Sequence, residues 1–250
     1  MEKTLELSNR IESTIANNLT RVQERIKAAC NLSGRAESEV VLVVVTKGHP
    51  LSMVQSVIQA GGTHLGENYV EEAQAKIAAC QGYSHLHWHM IGHVQGRKAR
   101  PVCELFSWVH SVDRLNLAER LDRFAAGLDR QLQVLLECNM SGEETKYGWK
   151  LWDENAWRDF IPIVQRLQAL PHLSIRGLMT MAPLYDEPEK ARPVFRKLRH
   201  LQAFLRRQVP NVSWDELSMG MSNDFEVAIQ EGATMIRVGT AILGPRPTSF

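Results

Sequence analysis

Eight short β-rich segments separated by longer amphipathic ones, a length of 250 residues, and unusual polar residues gathered at the ends of the β-rich segments together predict an α/β fold, a (β/α)8 TIM barrel. Length alone allows either two ordinary domains or one barrel, and the strand count selects the barrel. No low-complexity stretch, short repeat or Pro/Gly-rich linker divides the chain. It reads as one domain over residues 1–250, with a leading helix over 1–34 and the barrel over 40–244.

The elements follow in order. Leu7, Ile11, Ile15, Val22, Ile26 and Ala29 recur at helical spacing, which predicts a helix with one buried stripe, closed by Asn31-Leu32-Ser33-Gly34. The apolar run Val40-Val41-Leu42-Val43-Val44-Val45 makes the first strand, 40–46. Further strands are expected at 64–67, 86–91, 107–111, 132–138, 173–180, 215–219 and 235–239. Pro50 falls in the first turn of the helix after the first strand, where a missing amide hydrogen costs nothing. Asp113 is expected to cap the helix that begins there and Gly127 to close it. Pro183 to Pro193 reads as a surface loop entering a helix.

Composition excludes several classes of function. Lys and Arg number 29 against 28 Asp and Glu, so the net charge of +1 points to no polyanionic partner. Local basic groups, Arg97-Lys98-Arg100 and Arg196-Lys197-Arg199 with Arg206-Arg207, read as solvated faces, the second also as a docking surface. Cys30, Cys80, Cys103 and Cys138 form no C-x-x-C pair, which argues against a zinc ribbon or dithiol centre and fits a reducing cytoplasm. The acidic start, Met1 to Leu7, is unlike a secretory signal, and no apolar run reaches the roughly 18 residues of a membrane span. A cytoplasmic monomer that meets neither membrane nor nucleic acid is expected.

In such a barrel the active face lies at the carboxyl ends of the strands. Lys47, Glu67-Asn68, His89, Asp113, Asn139, Met179-Thr180, Ser218 to Asn223 and Arg237 to Thr240 all fall there. Lys47 ends the first strand. Taken alone it reads as a lysine pointing into water, but at the mouth of a barrel its amine is desolvated, its pKa falls and it becomes a nucleophile for carbonyl carbon. Ser218 to Asp224 crosses a Gly turn into the helix 225–231, whose amino end, at Ser222 or Asn223, can hold an anion. The next strand delivers a second turn, Gly239-Thr240, beside it. Arg237 and Val238 point to opposite sides of that strand, so one of them faces the interior. An amine, a phosphate cradle and an arginine around one mouth match pyridoxal 5′-phosphate: aldehyde to Lys47, phosphate to the turns, ring nitrogen to Arg237.

The ordered blocks Val45-Thr46-Lys47-Gly48-His49-Pro50, Leu65 to Glu72, Trp88 to Gln95, His110-Ser111-Val112-Asp113-Arg114, Gly177 to Pro183 and Leu217 to Gly244 resemble the pyridoxal phosphate homeostasis proteins, barrels similar to the N-terminal domain of alanine racemase (fold-type III). The resemblance implies a covalent aldimine at Lys47, phosphate contacts from Ser222, Gly239 and Thr240, and Arg237 at the ring nitrogen. It implies that Asn68, His89, Met179 and Met219 line the pocket. Three departures stand out: Thr46 replaces a usual serine, Leu65 a common phenylalanine, and Gly96-Arg97-Lys98 a common Asn-Lys pair. They are read as local surface details away from the cofactor.

A cationic partner at the ring nitrogen opposes the protonation that makes the cofactor a strong electron sink. Alanine racemases add a second base from a C-terminal β-domain, and the sequence, ending at Phe250 after the eighth strand, is expected to lack it. Of the tyrosines only Tyr69 adjoins a pocket block, and it reads as packing at a helix start. The expectation is a protein that buffers or delivers the cofactor to apo-enzymes with little or no catalysis. A racemase-like enzyme is the rival. The motif His85-Leu86-His87-Trp88-His89 would place three imidazoles on one strand face, as in metal hydrolases, but no later strand supplies the remaining ligands, so no metal is expected.

Overall fold

The computed structural model describes residues 2–246, with side chains from residue 10 onward. Parallel strands β1 (Val41–Val45), β2 (His64–Glu67), β3 (His87–Met90), β4 (Trp108–Val112), β5 (Leu132–Asn139), β7 (Leu173–Met179), β8 (Glu216–Ser218) and β9 (Met235–Val238) form one ring. β1 joins β9, with Val41 beside Met235, and β4 joins β5, which closes the eight-stranded barrel. A two-residue strand, β6 (Trp149–Lys150), adds to the outer end of β5 and was not anticipated, being too short to carry a periodic pattern.

Helices α2 (Leu51–Gln59), α3 (Val70–Ala79), α4 (Ala99–Leu105), α5 (Leu115–Ala126), α6 (Trp157–Gln168), α7 (Arg192–Gln208), α8 (Phe225–Gln230) and α9 (Thr240–Leu243) wrap the ring. Their apolar faces and the outward strand residues share one core that includes Leu121, Val164, Phe195 and Phe225. Each such side chain contributes roughly 2 kcal/mol on burial. Gly127 follows α5 as expected, but Asp113 does not cap that helix: Arg114 stands at its start and pairs with the Asp113 carboxylate, and the His93 imidazole lies 3.2 Å from it.

The leading helix α1 (Glu2–Ser33) packs on α2, α8 and α9 through Ile15, Leu19, Val22, Ile26 and Ala29. Gly34, at φ +67°, turns the chain out of it. Leu7 lies outside the described side chains. No helix among the described residues is long and apolar enough to cross a membrane.

Inside the ring, Leu135, Met179 and Met235 pack with Val41 and Trp108. Beside this apolar floor lie the imidazoles of His64, His89 and His110. Gly177 marks the point where β7 bulges past β5, and an added Cβ there would stand 1.9 Å from the Glu216 carbonyl oxygen, so the close strand approach demands glycine.

Candidate functional site

Lys47 leaves the end of β1 half-buried, at the edge of a cavity of about 990 Å³. Burial lowers its pKa, and the positive charges of Arg246 and Arg237 push the same way against Glu67 and Glu72. The flanking peptide is fixed from α3. Lys76 Nζ donates to the Thr46 carbonyl at 2.7 Å, and Glu72 accepts the Gly48 amide at 2.6 Å. Beneath them Glu67, wholly buried, accepts from Lys76 at 2.7 Å and from the Thr46 hydroxyl at 2.6 Å. Gly48 has φ +72°, which favours glycine, and the Arg246 side chain covers it.

The cradle rises from the turns after β8 and β9. The amides of Gly239 and Ala241 both donate to Ser222 Oγ at 3.3 Å, and Met221 N donates to Asp224 Oδ1 at 2.6 Å. Gly220, at φ +94°, lets the first turn approach α8, where a Cβ would stand 2.6 Å from the Cβ of Ala228. Two backbone amides converging on one hydroxyl beside an amine suit a phosphate group. Asp224, not Ser222 or Asn223, is the residue at the start of α8. Asn223 turns outward to the Tyr185 carbonyl, 2.9 Å away.

Of the two alternatives on β9, Arg237 faces the cavity and Val238 packs in the outer core. Burial lowers the guanidinium pKa to about 10, which leaves it charged at neutral pH. Its hydrogen bonds run to Ser218 Oγ at 2.5 Å and to the Thr180 carbonyl at 2.9 Å. Glu137, from β5, lines the same cavity while only 3 % exposed, and its Oε2 has no partner. Burial, helped by Asp113 and countered by Arg237, pushes its pKa up to about 7.

Lys47, Asn68, Ser222, Arg237, Gly239 and Thr240 thus line one cavity, and the buried Oδ1 of Asn68 has no partner in it. His89, Met179 and Met219 do not line it. His89 and Met179 lie inside the barrel and Met219 in the outer core, all fully buried, while Met181 and Met221, two residues further along, reach the cavity. The difference is one of depth along the strand, because the cavity opens beyond the strand ends.

Sequence reasoning missed Glu137, His93, Tyr147 and Arg246. Glu137 had a signal, an acid inside the apolar run of β5. His93 and Tyr147 stack with ring centroids 3.9 Å apart, so Tyr69 is not the sole tyrosine at the cavity; Tyr69 itself is 57 % exposed at the start of α3. The family departures are not surface details. Thr46 and Leu65 are fully buried, and Arg97 and Lys98 line the cavity. Nor do three imidazoles share a strand face. His85 precedes β3, and among the described residues no group of acidic, Cys and His side chains could hold a metal.

The family model for the alanine racemase N-terminal domain matches residues 17–247. The chain is 42% identical to the pyridoxal phosphate homeostasis protein of Pseudomonas aeruginosa over 235 residues, covering 94% of this chain and 96% of that one. It is 38% identical to the Escherichia coli protein of the same name, over 94% and 98% of the two chains. Among solved structures, PipY of Synechococcus elongatus with PLP bound superposes with a TM-score of 0.78 at 37% identity, over 92% of this chain and all of that one. Alanine racemase from Streptomyces coelicolor shares the fold at 17% identity, with a TM-score of 0.68 over 90% of this chain and 58% of its own.

Proposed function

This chain belongs to the alanine racemase N-terminal-domain family and, within it, to the pyridoxal phosphate homeostasis proteins, and from that premise we propose that it holds pyridoxal 5′-phosphate covalently at Lys47 as an intracellular store that buffers the cofactor or passes it to apo-enzymes. One observation carries the reading. A single cavity gathers a desolvated amine, Lys47, a pair of convergent amides at Ser222, and a charged guanidinium, Arg237.

When bound, the cofactor supplies an aldehyde that condenses with primary amines and a ring that accepts electron density. The chain's own residues do the rest. Lys47 presents its amine because Lys76 and Glu72 hold both neighbouring peptide groups. Ser222, Gly239 and Thr240 would take the phosphate, and Asn68 a polar atom of the ring edge. Arg237 keeps its proton and so disfavours a second one on the ring nitrogen, which weakens carbanion chemistry and favours storage over turnover. His89, Met179 and Met219 act from behind the cavity wall. We read residues 1–250 as one such cofactor-binding domain, monomeric and cytoplasmic.

A racemase-like enzyme is the second reading, favoured by His93, which lies 3.2 Å from Asp113, stacks on Tyr147 and lines the same cavity as Lys47, so that an imidazole and the amine face one space. One experiment separates the two. The protein is loaded with pyridoxal phosphate, reduced with borohydride and mapped by mass spectrometry, and amino-acid racemisation is measured in parallel. A label on Lys47 with negligible turnover supports a carrier; a label elsewhere refutes the site, and turnover lost in Lys47→Ala favours the enzyme.

A further inference from the structure

Arg237 is buried, charged and hydrogen-bonded to no carboxylate among the described residues; Glu137 and Asp224 act on it only through their charge. An unsatisfied buried cation costs several kcal/mol. What faces it instead is a file of side chains across the barrel interior. Ser218 Oγ lies 2.9 Å from His110 Nδ1, His110 Nε2 lies 2.9 Å from His89 Nδ1, and His89 Nε2 lies 2.9 Å from His64 Nδ1. Three consecutive strands of the ring and two across it contribute, His64 from β2, His89 from β3, His110 from β4, then Ser218 from β8 and last Arg237 from β9, so the file runs from the partly open amino end of the barrel to the cavity.

Its proton positions are determined by elimination. A guanidinium can only donate, so Ser218 Oγ accepts from Arg237 and must place its own hydrogen elsewhere. His110 Nδ1 is the acceptor the structure offers. A neutral imidazole that accepts at Nδ1 carries its proton at Nε2 and donates onward, and the same logic fixes His89 and then His64. All three are neutral Nε2–H tautomers, with every bond dipole turning its negative end toward Arg237. Reversing the file would aim two donors at Ser218 Oγ and leave its hydrogen unpaired, a desolvation penalty with nothing to offset it.

We propose that His110, His89 and His64, acting through Ser218, form a polarised neutral hydrogen-bond file that takes the place of a carboxylate partner for Arg237, positioning its guanidinium while leaving its full charge to face the bound ring. The role toward a ring rests on the proposed cofactor; the file itself does not. Burial depresses all three imidazoles, His64 to about 4, so they remain neutral at physiological pH. Their surroundings support this: His87 stacks on His64 at 4.6 Å, Trp108 on His89 at 5.7 Å, and no carboxylate hydrogen-bonds to any of them among the described residues. The file also explains why His89 is buried away from the cavity.

The test uses nitrogen-15 NMR of the full chain without cofactor. At pH 7 the three imidazoles should each show an Nε2–H tautomer, and the two Nη groups of Arg237 should give separate signals because their rotation is hindered. In Ser218→Ala, His110 should become a tautomer mixture, the Nη signals should merge, and pyridoxal phosphate should bind about tenfold more weakly. An Nδ1–H or doubly protonated imidazole among the three in the unsubstituted protein overturns the file. Unchanged Nη signals in a folded Ser218→Ala variant overturn the positioning role. Failure of borohydride to label Lys47 would instead refute the cofactor reading, and the NMR results would still decide the file.

Discussion

The ammonium of Lys76 donates to the Thr46 carbonyl at 2.7 Å, so the peptide group that leads into Lys47 is held by a helix rather than by the strand beside it. The same ammonium neutralises Glu67, which is inaccessible to water. Replacing it in Lys76→Met leaves that carboxylate unpaired, and urea unfolding should show a loss of about 3 kcal/mol. Glu72→Gln, which keeps an acceptor for the Gly48 amide, should cost under about 1.5 kcal/mol.

Glu137 gives the structure a pH signature. Its carboxyl keeps its proton in the folded state up to about pH 7, whereas its ordinary value is 4.5. Folding therefore binds a proton between those values, and this group's contribution falls as pH rises through the window. Glu137→Gln should abolish that slope and raise stability above pH 7 by about 2 kcal/mol, measured by urea unfolding of the cofactor-free protein at pH 5 and pH 8.

Ser222→Ala removes the hydroxyl on which the Gly239 and Ala241 amides converge. The expected result is about tenfold weaker binding of pyridoxal phosphate, equivalent to about 1.4 kcal/mol, with little change in thermal stability. Absorbance titration reads the first and calorimetry the second. Equal losses for pyridoxal without phosphate would remove Ser222 from the anion cradle.

Gly220→Ala forces a side chain into a left-handed turn and into contact with Ala228. It should cost about 2 kcal/mol in unfolding experiments and weaken cofactor binding by displacing Ser222.

Much of this architecture was legible in the chain. The eight barrel strands match the expected segments within about two residues at each end, because short β-rich segments alternate with longer amphipathic helices, most plainly in the unbroken apolar run of β1. Lys47, Asn68, Ser222, Arg237, Gly239 and Thr240 reach the cavity because each follows a strand end or sits at a turn on the same face of the barrel. The histidine motif misled for an instructive reason. Spacing along one strand reports only which face a residue occupies, whereas the real partners of His89 come from the strands on either side, at His64 and His110. The capping role given to Asp113 failed because Arg114, the residue at the helix start, takes its carboxylate.

The pairing of Val41 with Met235 also constrains the life of the molecule inside a cell. Lys47 and Thr240 stand at opposite extremes of the barrel sequence, so a ribosome must deliver nearly two hundred further residues before the lysine meets its cradle. A nascent chain has no vitamin-binding surface to offer. At the site proposed here, ligand capture is therefore a post-translational event that reports ring closure, and a loaded molecule should resist reopening more strongly as the concentration of that ligand rises.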